Sequence, residues 1–279
     1  MWNYFCELFS PFVWQLGLSL VVAQCSLYIF FKIGLPQGPW SDDPGFSAHQ
    51  AICIPIMAFL TYQGFREWFS KQNHGYTPVD RILGPHPEPD LSLLVMTVML
   101  FWDIPTGLCV KSLREPAMMA HHVAMLLTAT LALGVFSGGH PLLGYYAAYY
   151  FGVIEVSSIP LIFVDLFHPK HRSWHAFLNN SAHKVLHSIN EMNRVIFAIL
   201  FLLVRAISFP YVSFVSVIPD VWRVAALPLE ERKGVSVIPL YGMATLNLFF
   251  SCLQFYWGTL VLRQVMKAVV PSKKKKKTE

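Results

Sequence analysis

The sequence predicts an all-α, polytopic integral membrane protein with about seven transmembrane helices, and three observations lead to this fold class. Hydrophobic residues make up 54% of the chain and charged residues only 13%. The mean hydropathy is +0.47, whereas a soluble domain carries about 25% charged residues to wet its surface. Apolar segments also recur that are long enough to cross a hydrocarbon core about 30 Å thick. Soluble fold classes are therefore excluded.

Each predicted span is an apolar run bounded by polar or helix-breaking residues. The segments are 12–33, 48–69, 91–110, 118–137, 141–166, 188–210 and 240–266. Pro55 in the second segment and Pro160 in the fifth predict kinks, because proline removes a backbone hydrogen-bond donor. The stretch 211–239 is interrupted by Pro219, Pro228 and a run of charged residues. It predicts a long loop with an interfacial piece, and the alternative is an eighth, partial insertion into the membrane.

The charges that flank the spans predict an orientation. Glu7 precedes the first span and Lys32 ends it, which favours an N-terminus outside the cytosol. With seven spans, the C-terminus and the loops after the first, third and fifth helices then share the cytosolic side. Thirteen Lys and Arg residues fall on that side and six on the other, which supports this orientation.

The C-terminal tail carries a candidate address. Lys276 and Lys277 lie four and three positions from the end, which resembles the dilysine retrieval signal that coat proteins read on resident endoplasmic-reticulum membrane proteins. The alternative is a polybasic tail, Lys273–Lys277, attracted to anionic lipid headgroups. Both interpretations place the tail in the cytosol. No basic stripe interleaves with stacking aromatic residues, so no nucleic-acid partner is predicted.

Ionisable residues inside the spans are the strongest functional signal, because an unpaired charge in a membrane costs several kcal/mol. The candidates are Asp103, His121, His122, Glu155, Arg194 and Arg205. At a rise of about 1.5 Å per residue, all but Arg205 fall in the cytosolic half of the bilayer. Arg205 falls near the opposite face. Asn193 and Ser158 add polar side chains to the predicted bundle interior.

The paired histidines leave two interpretations open. Adjacent helical residues point about 100° apart, so one imidazole faces the bundle interior while the other reaches the interface. A neutral imidazole beside a carboxylate acts as a general base or activates a nucleophile. The alternative is structural pairing of a histidine with Asp103 or Glu155.

A second group of histidines lies in the predicted loop after the fifth helix, at His168, His171, His175, His183 and His187. Spacings of three and four residues occur in metal-ligand boxes. A solvated loop near anionic headgroups is the favoured interpretation. Neither a metal nor a resident cofactor is predicted.

Four motifs in this order resemble the TLC-domain family, which includes ceramide synthases and translocon-associated membrane proteins. The motifs are Phe101–Trp102–Asp103, Ala120–His121–His122–Val123, Glu155–Val156–Ser157–Ser158–Ile159–Pro160 and Phe201–Leu202–Leu203–Val204–Arg205. The resemblance covers about residues 48–267 and implies a six-helix bundle. It divides the chain into an N-terminal region 1–47 with an added helix, a TLC-type domain 48–267 and a cytosolic tail 268–279.

The resemblance also favours one branch of the family. Ceramide synthases carry His-Asp and a second Asp on the helix after the histidine pair, where this chain has Ile154–Glu155 and Ser158. The pattern is more similar to the non-synthase members, which are implicated in membrane lipid composition, lipid sensing and cargo export.

Three functions remain open. The first is an endoplasmic-reticulum protein that binds membrane lipid within the bundle and influences lipid homeostasis. The second is an acyltransferase that takes acyl-CoA from the cytosol as substrate, with His121, His122, Glu155 and Asp103 as catalytic candidates. The third is a cargo receptor or partner protein whose intramembrane polar residues are structural.

Overall fold

The computed structural model describes residues 9–71, 75–87 and 90–269, and this part of the chain is built from helices and turns without a β-strand. Seven long helices, α1 to α7 in chain order, form the bundle. Their bounds are Pro11–Gly34, Pro44–Lys71, Leu91–Cys109, Pro116–Ala132, Gly144–Leu166, Ser181–Ala225 and Val237–Val269. Short helices at Pro39–Asp42, Pro78–Leu83 and Arg172–Leu178 and a 3-10 turn at Lys111–Leu113 join them.

Five of the long helices, α1, α3, α5, α6 and α7, combine the length and the apolar composition needed to cross a membrane. Helix α4 is apolar but has 17 residues. Helix α2 has 28 residues and buries polar side chains, among them His49 and Gln63. Large apolar side chains such as Leu18, Leu203 and Ile207 are exposed on the outer surface. The predicted fold class, an all-α multi-pass membrane protein, is confirmed.

Helix starts follow from local capping. The Asp90 carboxylate accepts hydrogen bonds from the backbone of Ser92 and Leu93, which satisfies the free N–H groups at the start of α3. Glu115 does the same for α4 by accepting from the Met118 backbone at 2.8 Å. Proline at position 116 then favours the first turn, where its missing N–H is not needed.

Widened π-helical turns occur where prolines interrupt the long helices. The described π segments are Phe30–Gly34, Met99–Asp103, Phe201–Ser208 and Ser213–Val217. Each is followed two residues later by a proline, namely Pro36, Pro105, Pro210 and Pro219. Proline cannot donate a backbone hydrogen bond, and its ring clashes with the preceding turn. At Pro105, Pro210 and Pro219 a wider turn relieves that clash while the helix continues, whereas α1 ends at Gly34, before Pro36.

The two prolines predicted to kink their helices behave differently. Helix α2 is continuous through Pro55. Helix α5 is interrupted ahead of Pro160, since its first part ends at Tyr150 and a 3-10 segment, Val153–Ser157, precedes its second part, Ser158–Leu166. This interruption sets the direction of the Glu155 side chain.

The interpretation of 211–239 as a long loop is wrong, because α6 continues as a helix to Ala225 and the loop is confined to the residues before Val237. The last turns of α6 bury Val217, Val221 and Val224. Asp220 accepts hydrogen bonds from the Arg81 guanidinium at 2.5 and 2.8 Å and from the Tyr146 hydroxyl at 2.6 Å.

This contact ties the end of α6 to helix Pro78–Leu83. The hydrogen bonds that Arg81 donates to Asp220 raise the pKa of Arg81 above its ordinary range. Of the two prolines that suggest a loop, Pro219 follows a π turn within the helix, whereas Pro228 lies in the loop after Ala225. Sequence reasoning therefore read as a break one position at which the helix widens and continues.

Helices α2 and α5 cross with their backbones in contact at two glycines. A Cβ atom added to Gly64 would lie 2.4 Å from the Gly152 Cα and 2.5 Å from the Val153 nitrogen. These neighbours are backbone atoms, so they cannot move aside as a flexible side chain does. The crossing therefore requires glycine, as in close helix packing within membranes.

We expect Gly64→Ala to lower the stability of the purified protein by about 1–3 kcal/mol, because the added methyl group forces the two backbones apart. Gly242→Ala is the matched control in α7, where the new Cβ meets only Leu131 Cδ1 at 3.7 Å. Alanine there should leave stability unchanged or raise it, since glycine disfavours a helix interior. Thermal unfolding in detergent, followed by tryptophan fluorescence, measures both. Equal midpoints for the two variants would contradict the close crossing.

Candidate functional site

Asp103 forms a buried polar contact between α2, α3 and α4. The His49 Nε2–H donates a hydrogen bond to Asp103 Oδ1 at 2.8 Å, since an ionised carboxylate only accepts. The His49 ring stacks on Trp102 with centroids 4.8 Å apart, and the Trp102 indole N–H donates to Gln24 of α1. His122 Nδ1 lies 3.4 Å from the other carboxylate oxygen without being aligned for a hydrogen bond. The Asp103 carboxylate therefore lies between the imidazole rings of His49 and His122.

His121 points away from Asp103 and towards α7. Its ring makes edge-on contacts with Phe250 and Trp257, with centroids 5.5 and 5.4 Å apart. Its Nδ1 atom is buried and has no hydrogen-bond partner among the described residues. The two histidines thus have different surroundings, as the angle between adjacent helical side chains requires.

His121 lines a narrow internal cavity of about 20 Å³ between α4, α5, α6 and α7, which is room for about one water molecule. Its walls are mostly apolar. They include Met125, Leu143, Ile154, Phe209, Met243 and Phe250. No Asp, Glu, Lys or Arg side chain is among the described residues that line it. We call this space the His121 cavity.

Four carboxamide or hydroxyl side chains add polar atoms to the His121 cavity, namely Thr128, Tyr150, Asn247 and Gln254. Asn247 accepts a hydrogen bond from the Tyr150 hydroxyl at 3.1 Å. Gln254 is only 1% exposed, and neither its amide nitrogen nor its amide oxygen has a hydrogen-bond partner in the described chain. An apolar cavity therefore carries an imidazole and an amide that are both unsatisfied.

Glu155 contacts Arg205 of α6 and makes no hydrogen bond or ion pair with His121 or His122. The Arg205 Nη2 donates to Glu155 Oε2 at 2.8 Å and to Ser158 Oγ at 2.9 Å, while its Nε donates to Ser157 Oγ at 2.8 Å. The Ser158 hydroxyl completes the ring by donating to Glu155 Oε2 at 2.5 Å. Both charged side chains are less than a tenth exposed.

The predicted position of Arg205 near the opposite face is therefore wrong. The prediction takes residue 188 as the membrane boundary, but α6 begins at Ser181 and runs for 45 residues. The hydrogen bond from Arg205 to Glu155 places the two residues level with each other.

Arg194 was predicted in the bundle interior, but its side chain is 51% exposed and pairs with Glu191 at 3.1 Å. Asn193, the next residue back, points inwards and donates to the Pro160 carbonyl at 2.9 Å. That carbonyl lies just beyond the interruption of α5, so Asn193 fastens α6 to it. The boundary between the exposed and the inward-facing sides of α6 therefore runs between Asn193 and Arg194.

The structure therefore brings together His122 and Asp103, and separately Glu155, Ser158 and Arg205. Sequence reasoning missed His49, Asn247 and Gln254. His49 lies inside a predicted span and carried the same intramembrane signal as the other histidines. The two carboxamides carry no charge, so a search for charges could not find them. Lys276 and Lys277 lie outside the described residues. Within the described ranges, no group of three His, Cys, Asp or Glu side chains has metal-site geometry.

The arrangement can hydrogen-bond a ligand and move a proton. His121 offers either a donor or an acceptor at Nδ1, according to its tautomer, to a group inside the cavity. The Asp103 carboxylate accepts the hydrogen bond of His49 and lies next to His122, so it can orient both rings. The surrounding apolar side chains exclude water, which strengthens polar interactions inside.

One comparison with known proteins gave a match. A family model described as TLC domain matches residues 42–263. No curated protein and no solved structure matches the chain.

We expect Arg205→Met to lower stability by about 3–5 kcal/mol, because it leaves the Glu155 charge buried without a partner. The double variant Glu155→Leu with Arg205→Met removes both charges and should regain most of that loss. Arg194→Met is the control for losing an arginine from α6, and its exposed ion pair should contribute less than about 1 kcal/mol. Thermal unfolding in detergent separates the three. A double variant no more stable than Arg205→Met would contradict the buried-pair interpretation.

Proposed function

This chain belongs to the TLC-domain family, and from that premise we propose that it is an endoplasmic-reticulum membrane protein that binds a lipid in the His121 cavity and influences membrane lipid composition. The family and the membrane-spanning helices make it a membrane protein of lipid biology. The endoplasmic-reticulum location, the cytosolic C-terminus and the bound lipid are the proposed parts.

The unsatisfied polar atoms of the His121 cavity carry the proposal. A buried polar group without a partner costs about 1–3 kcal/mol, and here His121 Nδ1 and both amide atoms of Gln254 are in that condition. A hydroxyl, amide or ester group of a bound lipid supplies donors and acceptors to such atoms. A single trapped water is the competing occupant, since the cavity as it stands holds about one.

The walls of the cavity favour one class of lipid. They are apolar and carry no formal charge among the described lining residues, so they favour an uncharged polar group attached to an acyl or similar chain. A lipid needs more space than 20 Å³, and Met125 and Met243 are flexible side chains that can make room. A charged headgroup would be left unpaired there.

A second function, acyl transfer, is favoured by a separate observation. His122, which lies beside Asp103, directly follows His121, which lines the cavity. In an acyltransferase, His121 would accept the proton of an acceptor amine or hydroxyl as that group attacks the thioester carbon of acyl-CoA. The new amide or ester bond forms, the carbon–sulfur bond breaks, and CoA leaves as the thiol. His122 and Asp103 would position the pair of rings.

We expect Gln254→Leu and His121→Ala each to reduce several-fold the amount of a specific lipid that copurifies with the protein. Gln15→Leu on exposed α1 and His140→Ala in an exposed loop are the matched controls, and they should retain the lipid. Mass spectrometry of lipids extracted from purified protein measures this. An equal lipid content in all five proteins, including wild type, would contradict lipid binding in the cavity.

The same proteins also distinguish the two functions. Each is incubated with long-chain acyl-CoA and a panel of sphingoid bases and lysophospholipids. Release of CoA together with a new acylated lipid, lost in a folded His121→Ala variant, would establish the acyltransferase. A retained lipid without turnover on any acceptor would support binding alone.

For the tail, we expect Lys276→Ser with Lys277→Ser to release the protein from the endoplasmic reticulum, because coat proteins read lysines at these two positions. Lys273→Ser with Lys274→Ser removes the same charge and should leave the location unchanged. Fluorescence microscopy of tagged full-length protein with an untagged C-terminus measures both. An equal redistribution of the two variants would indicate attraction to anionic lipid in place of a receptor-read address.

A further inference from the structure

A second space lies at the ends of three spanning helices, away from the His121 cavity. It has a volume of about 380 Å³ and lies between the end of α5, helix Arg172–Leu178, the first turns of α6 and Gln264 near the end of α7. Its polar lining includes His168, His175, His187, Asn190, Glu191 and Arg194. We call it the Arg194 groove. The ends of α5 and α7 and a helix of the connecting segment meet here, which is the arrangement expected near a membrane surface.

The groove carries one charge of each sign. Arg194 Nη1 lies 3.1 Å from Glu191 Oε1, and the two side chains are 51% and 50% exposed. An exposed pair three residues apart on one helix contributes about 0–1 kcal/mol. Both side chains can therefore turn to a ligand at little cost. A ligand that carries an anion and a cation a few ångströms apart would satisfy both at once.

Neutral polar groups surround this pair. The His168 Nδ1 accepts a hydrogen bond from the Lys170 backbone N–H at 3.2 Å, which leaves Nε2–H as a donor in the neutral ring. Burial and the nearby Lys170 lower the pKa of His168, so the neutral ring predominates at neutral pH. Asn190 is buried, and its Oδ1 has no hydrogen-bond partner among the described residues. The groove thus offers donors for an anion and acceptors for a cation.

An apolar stripe lies on the neighbouring face of α6, beside the groove. Met192, Val195 and Ile199 are 60%, 59% and 52% exposed, and they share one face because they are three and four residues apart. Polar groups at one end and an exposed apolar face beside them match the two parts of a phospholipid. A soluble phosphate ester would use only the polar end.

From these features we infer that the Arg194 groove binds the headgroup of a zwitterionic phospholipid with a primary ammonium group. The phosphate pairs with Arg194 and the ammonium with Glu191, and the acyl chains lie along the stripe Met192, Val195 and Ile199. Phe167 contributes the single phenyl ring among the described lining residues. A quaternary ammonium is bound best by several aromatic faces, whereas a primary ammonium donates hydrogen bonds to carboxylate and carboxamide oxygens.

The experiment is native mass spectrometry of the full-length protein in detergent with equimolar phosphatidylethanolamine, phosphatidylcholine and phosphatidylglycerol. We expect wild type to retain phosphatidylethanolamine about fivefold over the other two, as one charge-assisted contact in a partly exposed site allows. Glu191→Gln should abolish the preference over phosphatidylglycerol. Arg194→Gln should reduce retention of all three lipids.

Matched variants and a soluble competitor complete the test. Lys184→Gln removes a charge from an exposed position on the same helix, and Glu230→Gln removes one from a distant loop, and both should bind as wild type does. Glycerophosphoethanolamine at the lipid concentration should not displace the lipid, because it lacks the chains. Equal retention of the three lipids by wild type, variants that match their controls, or full displacement by the soluble ester would each overturn the inference. Gln254→Leu should keep this binding, so the two sites fail or hold separately.

Discussion

The ion pair between Glu155 and Arg205 is the interaction on which the arrangement of this bundle depends. A guanidinium buried in an apolar bundle must be neutralised where it lies, because an unpaired charge inside a membrane costs several kcal/mol. The Arg205 guanidinium donates hydrogen bonds to Glu155, Ser157 and Ser158 at 2.8–2.9 Å. Those three acceptors are clustered because α5 changes to a 3-10 turn there. The interruption of α5 therefore positions the acceptors that the buried Arg205 requires.

Proline-linked widening of the helices places the other polar groups. Asp103 is the last residue of one π segment and Arg205 lies within another. Ser213, which begins a third, is within hydrogen-bond distance of the Tyr150 hydroxyl at 2.9 Å. A wider turn rotates the residues that follow relative to a regular helix, so it changes which face a side chain occupies. The prolines therefore act on the site through geometry while the helices continue across the membrane.

This explains which features the sequence could predict. Hydropathy located the spans, since it reflects the cost of exposing polar atoms to lipid, and the angle between successive residues separated His121 from His122. Depth along a helix is less predictable. The predicted depth of Arg205 depends on a span that starts at residue 188, whereas α6 begins at Ser181. The continuation of α6 to Ala225 depended on a contact between Arg81 and Asp220, 139 residues apart. No local pattern reports such a contact. Gln254 was missed because it carries no charge, although an unsatisfied buried amide is as informative as a buried ion.

Helix α6 links the two proposed binding regions and also holds them apart. It contributes Arg194 to the groove and Phe209 to the His121 cavity, with Arg205 between them. The ion pair to Glu155 fixes the helix at that intermediate point, so a shift at one end is resisted before it reaches the other. The regions also differ in chemistry, since the groove carries opposite charges and the cavity carries none among its described lining residues. A headgroup that satisfies Arg194 and Glu191 would be left unpaired in the cavity, and an uncharged lipid gains nothing from the groove's charges. Taken together, the two proposals predict two different lipids in two separate sites along one helix.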